Sequence, residues 1–144
     1  MVRVSPSRPL RLLMDARYTR TDFHDGISRY GASLLEAVAR RAAAPGPAGA
    51  DVEVAMLISD ERQLALLPDG VPWHLVSGPT SPREPFVARQ VARLRPDVVF
   101  SPMQTMGSWG RDYALILTLH DLIYYEHRTP PRNLPEPIRW LWRA

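Results

Sequence analysis

No cysteine occurs in the 144 residues. That excludes disulfides and thiolate metal sites, and it fits a reducing, cytoplasmic setting. Lysine is absent too. All 18 basic side chains are arginine, a usage that reads as a GC-rich coding sequence rather than as a mechanism. Because arginine does not titrate, the formal charge of +3 accompanies a pI near 9.8. So mild a balance argues against nucleic acid as the partner. No apolar stretch approaches the roughly 20 residues of a membrane-spanning helix. The longest, around Tyr113 to Leu119, is far shorter. Residues 1–9 carry Arg3 and Arg8 but lack the apolar middle of a secretion signal, and they read as a flexible terminus. His24, His74, His120 and His127 are scattered, with no pair at the spacing of a zinc-binding helix, so no metal site is expected.

What is present is an alternation of strand and helix patterns. An apolar fraction of 45% fits one globular domain of ordinary size. Leu10–Met14 is a short apolar run closed by Asp15. Ile27, Tyr30, Leu34, Leu35 and Val38 fall at helical spacing and predict a helix from Gly26 to Arg41, with Arg40 and Arg41 suiting its negative end. Ala44–Gly49 reads as a loop. Asp51–Ile58 predicts a second strand, Glu61–Leu67 a short helix and Pro72–Val76 a third strand. Pro82 suits the first turn of a further helix that carries Phe86, Val87, Val91 and Leu94 inward. Asp97–Phe100 and Ala114–Leu119 are strands four and five. The alternation predicts an α/β fold, a doubly wound, mostly parallel sheet in a single Rossmann-like domain.

Two features fall at predicted strand ends, where open α/β sheets bind ligands. The fifth strand runs straight into His120-Asp121. The first ends at Asp15 and leads to Asp25-Gly26-Ile27-Ser28-Arg29-Tyr30, which opens a helix. Asp25 is the expected N-cap of that helix, and its carboxylate competes with any anion for the N–H groups there.

Taken in order, Asp15-Ala16-Arg17, then Gly26-Ile27-Ser28-Arg29-Tyr30, then Pro96-Asp97-Val98-Val99-Phe100-Ser101-Pro102, then His120-Asp121-Leu122 resemble the N-terminal half of a family 4 glycosyltransferase of GT-B fold. The resemblance implies a retaining enzyme that moves a sugar from a nucleotide-diphosphate sugar to the hydroxyl of a glycan or lipid-linked acceptor, with no other cofactor. It implies His120 and Asp121 as the catalytic pair. It places Gly26, Ile27, Ser28 and Arg29 beside the donor diphosphate, and Asp15, Arg17 and Gln104 in the acceptor cleft. The domain is expected over 10–127, followed by a Pro/Arg/Trp-rich segment, 128–144, that leads into a helix.

GT-B enzymes hold their reactants between two domains, and the second of them supplies most of the donor site. The resemblance therefore implies a chain with little activity alone: a fragment, a truncated product, or half of a split enzyme whose C-terminal domain is on a separate chain. Arg128, Arg132, Arg139 and Arg143 beside Trp140 and Trp142 suit an anionic membrane surface, but packing of the apolar members on the domain is the favoured reading. A non-catalytic glycan- or protein-binding module is the alternative function. A flavodoxin-like domain with chance motif matches is the third.

Overall fold

The computed structural model describes residues 8–44 and 52–120. The chain runs β1 (Leu10–Asp15), α1 (Gly26–Ala43), β2 (Val52–Ile58), β3 (Trp73–Leu75), α2 (Val87–Ala92), β4 (Val98–Ser101) and β5 (Ala114–Leu117). A 3₁₀ segment at Glu61–Leu66 precedes β3, and another at Glu84–Phe86 runs into α2. The five strands form one sheet in the order β3-β2-β1-β4-β5, every pair parallel. This is the expected α/β, Rossmann-like architecture.

Alternation along the strands builds a core on each face of the sheet. Leu13 and Leu57 point to the α2 side with Val87, Ala88, Val91, Val99, Met106 and Tyr113. Their chain neighbours Met14, Met56 and Ile58 point to the α1 side with Leu35 and Leu67. A strand covered on both faces must be apolar at consecutive positions, which explains the unbroken runs Leu12-Leu13-Met14 and Met56-Leu57-Ile58.

The elements differ from expectation mainly at their ends. Helix α1 reaches Ala43, with Arg40 and Arg41 in its last turn and an ion pair between Glu36 and Arg40. The second helix does not start at Pro82. Its first turn is the 3₁₀ segment holding Pro85, and α2 proper begins at Val87. Phe86 is 39% exposed rather than buried in the core. Strand β5 stops at Leu117, short of the expected Leu119; the Thr118 N–H makes its last bond to β4, at the Ser101 carbonyl, and also reaches that of Met103. Asp97, in the motif before β4, accepts from the Arg11 N–H at 2.8 Å and from the Arg8 side chain. It ties down the amino end of the sheet, the edge opposite the carboxyl ends of the strands.

Candidate functional site

Strand order reverses direction between β1 and β4, the kind of switch point at whose carboxyl ends open α/β sheets bind ligands. Asp15 ends β1 and Ser101 ends β4, and the Ser101 hydroxyl donates to Asp15 Oδ2 at 3.1 Å. Helix α1 begins above this point. A Cβ on Gly31 would lie 3.5 Å from Pro102 Cγ, so the second turn of α1 rests against the chain leaving β4. His120 arrives from β5 and meets Tyr30 edge to face, ring centroids 5.4 Å apart. The histidine and the first helix therefore converge on one rim.

The His120 Nε2 atom lies within hydrogen-bond distance of the Pro102 carbonyl. A carbonyl only accepts, so Nε2 carries the proton. The other ring nitrogen, Nδ1, has no partner among the described residues, and the side chain is exposed. Asp121 lies outside the described residues, as do segment 128–144 and the loop after Ala44.

The glycine turn is less open to an anion than its sequence implied. Asp25 caps α1, accepting from the Ser28 N–H at 2.8 Å. The Ser28 and Ile27 N–H groups hold the Asp25 carboxyl below its ordinary pKa, the Ser28 bond being the larger effect. The Ser28 side chain is buried and turned inward. Its Oγ accepts from the Arg20 N–H at 2.9 Å and donates to the Tyr18 carbonyl. Arg29 lines a shallow depression of about 490 Å³ with His24, Ser33, Glu36 and Leu66 to Asp69. That hollow contains none of the rim residues, and Glu36 and Asp69 offset its one arginine. Gly26 faces open space, with nothing within 4 Å of where a Cβ would lie.

Asp15 and Arg17 do not face a cleft; they are 2% and 3% exposed. Arg17 Nε and Nη2 donate to the two oxygens of Asp15 at 2.8 and 3.0 Å. Its Nη1 donates to Glu84 Oε2 at 2.6 Å and to the Ser77 carbonyl at 2.9 Å. Burial works against the guanidinium charge, but Asp15 and Glu84 outweigh it and hold the Arg17 pKa above its ordinary value. Glu84 also accepts from the Gly107 N–H at 3.2 Å. The network thus ties the end of β1 to the start of α2 and to the β4–β5 loop. Gln104 is half-buried in that loop. Its neighbour Thr105 accepts from the Tyr18 hydroxyl at 3.1 Å, which places Tyr18 beside the loop.

A second buried amide was not anticipated. Gln63 accepts from the Ser59 and Asp60 N–H groups and donates to the carbonyls of Arg17 and Thr19. It clamps the segment after β1 to the end of β2. The capping pattern Asp60-x-x-Gln63 was its one sequence signal. The partnerships of half-buried Glu84 and buried Ser101 with Arg17 and Asp15 carried none, because the partners are far along the chain.

Among the described residues, no group of three or more His, Asp or Glu is placed to hold a metal ion, and no helix is long and apolar enough to cross a membrane. No protein-family model, curated protein or solved structure matches this chain.

Proposed function

We propose that the chain is the acceptor-side domain of a retaining glycosyltransferase, which moves a sugar from a nucleotide-diphosphate sugar to a glycan or lipid-linked hydroxyl. The observation that carries this reading is the meeting of His120 with Tyr30 of α1 on one rim of the parallel sheet. The Nδ1 of His120, which has no partner among the described residues, accepts a hydrogen bond from the acceptor hydroxyl and orients its oxygen for attack. The N-terminal dipole of α1 and the open backbone at Gly26 favour the negative charge that develops on the leaving diphosphate. Only part of that turn serves, since Ser28 is occupied by the cap. A second domain, on this or a separate chain, supplies the remainder of the donor site and excludes water.

The test is a titration of the chain with acceptor-type saccharides and with nucleotide sugars, following the His120 imidazole resonances by NMR. Saccharides are expected to shift them, and His120→Ala is expected to weaken that binding about tenfold, or about 1.4 kcal/mol. Binding of a free nucleotide or flavin at the Gly26 turn, with His120 silent towards every saccharide, would instead make this a flavodoxin-like domain. A second reading is a non-catalytic glycan-binding module. It is favoured by the complete internal pairing of Asp15 and Arg17, which leaves the rim few groups for chemistry. Reconstituted transfer with a donor-binding domain, lost in His120→Ala, separates the two.

A further inference from the structure

Trp109 is 62% exposed, yet both its ring and its backbone contact the segment that opens α2. Its indole stacks on Phe86, centroids 4.8 Å apart and planes 28° from parallel. The Arg89 guanidinium lies 5.6 Å from the centre of the indole and 5.7 Å from that of Phe86. The backbone is braced as well. The Trp109 N–H donates to the Pro85 carbonyl at 3.3 Å. Two residues earlier, Gly107 presses so closely on the start of the helix that a Cβ would lie 1.7 Å from the Glu84 carbonyl oxygen. One residue later, Gly110 has φ +80°, and a Cβ there would lie 2.9 Å from Arg89 Cγ. Glu84 in turn is bonded to buried Arg17. The exposed ring is therefore linked, through Gly107, Glu84 and Arg17, to Asp15 at the end of β1.

We propose that Trp109, Phe86 and Arg89 form a saccharide-binding platform beside the rim. A sugar ring offers a face of weakly positive C–H groups, which complements the negative face of an indole. Its hydroxyls, spread around the ring edge, suit the planar donor fork of an arginine next to that face. Rigid bracing removes most of the ordering cost of such a contact. The dimensions disfavour other occupants. One aromatic stack is far smaller than the roughly 800 Å² a protein partner covers on each side. It also offers little apolar area to a bilayer, since Phe86 is partly covered by the indole. Helix α2 follows β3 and leads back to β4, so its start lies at the carboxyl edge of the sheet, the edge that carries His120. The platform thus takes the part of an acceptor oligosaccharide that extends beyond the reacting sugar. This rests on the carbohydrate reading given above.

The test uses the chain itself, titrated with manno- and cello-oligosaccharides and with the matching monosaccharides. Tryptophan fluorescence and the His120 imidazole resonances are read together. The expected result is that oligosaccharides bind more tightly than monosaccharides, that Trp109→Ala weakens oligosaccharide binding about tenfold, and that Trp109→Phe keeps most of it. Equal oligosaccharide affinity in wild type and Trp109→Ala overturns the platform, while a His120 response to monosaccharide still upholds the acceptor reading. Trp109-dependent oligosaccharide binding with His120 silent does the reverse. The platform is also overturned if no saccharide binds through Trp109, whether or not a single-stranded oligonucleotide or anionic phosphatidylglycerol vesicles do so instead.

Discussion

Arg17→Met should be among the most damaging single substitutions in this domain. The guanidinium has no exposed surface, and it makes five hydrogen bonds, two to Asp15, two to Glu84 and one to the Ser77 carbonyl. Methionine roughly fills the volume, so the cavity contribution is small. The damage comes from what stays behind. Asp15, whose side chain is also fully buried, would keep only the Arg17 backbone N–H at 3.2 Å and the Ser101 hydroxyl at 3.1 Å as donors. Glu84 is 18% exposed and keeps the Gly107 N–H, so its loss is milder. Stripping one partner from a buried ion pair costs about 3–5 kcal/mol. For a domain of this size that corresponds to a Tm lower by roughly 6–20 °C. Urea unfolding at 25 °C gives the free energy directly, with an unchanged slope confirming that the denatured state is not the cause. Glu84→Gln keeps the shape and removes one charge. It should cost only about 1–2 kcal/mol, because the bidentate Asp15 pair survives. Adding Asp15→Asn to Arg17→Met should restore at least about 1 kcal/mol, since the orphaned charge is then gone. A loss below about 1 kcal/mol for Arg17→Met, with saccharide binding abolished, would refute the structural assignment and return Arg17 to the acceptor cleft.

Three further substitutions probe other parts of the structure. Asp25→Ala removes the cap of α1 and should cost about 1 kcal/mol near neutral pH. The folded pKa of Asp25 is lowered, so its contribution is present above the ordinary carboxylate pKa and lost as pH falls through the folded value; thermal melts of wild type and variant should converge in acid. Tyr113 is buried with no partner for its hydroxyl among the described residues, and burial pushes its pKa up to about 12. Its raised pKa makes that stability whole below about pH 10 and lost as pH rises through 12. Tyr113→Phe should therefore be neutral or stabilising by up to about 1 kcal/mol at pH 7, and it should blunt the alkaline loss seen in denaturant titrations. Gly107→Ala sets a Cβ against the Glu84 carbonyl and should cost about 2–3 kcal/mol; an unaltered Tm and Trp109 emission would show that the loop is free to move.

Local features were legible in the residues themselves. Consecutive apolar positions such as Leu12-Leu13-Met14 announce a strand buried on both faces, and strands alternating with helical periodicity leave little besides a parallel, doubly wound sheet. The cap at Asp25 depends on atoms three residues apart, so the chain alone specified it. The meeting of His120 with the first helix was likewise readable, since strand ends and helix starts share an edge by construction of the fold.

The fate of the charged side chains was not legible. Asp15 and Arg17, expected in a cleft, turn inward because Glu84 and Ser101 come from distant segments to pair with them, and no local pattern encodes that meeting. Arg29 and Tyr30 are neighbours in the chain, yet a helix turns by about 100° per residue and gives them different surroundings. Trp109 drew no notice in the sequence, because its bracing comes from Phe86, Arg89 and the close approach of Gly107 to Glu84. Periodicity and capping are short-range properties that the chain carries by itself. Which charges are buried and which aromatic ring is held out to solvent follow from long-range pairing, and only the folded structure decides them.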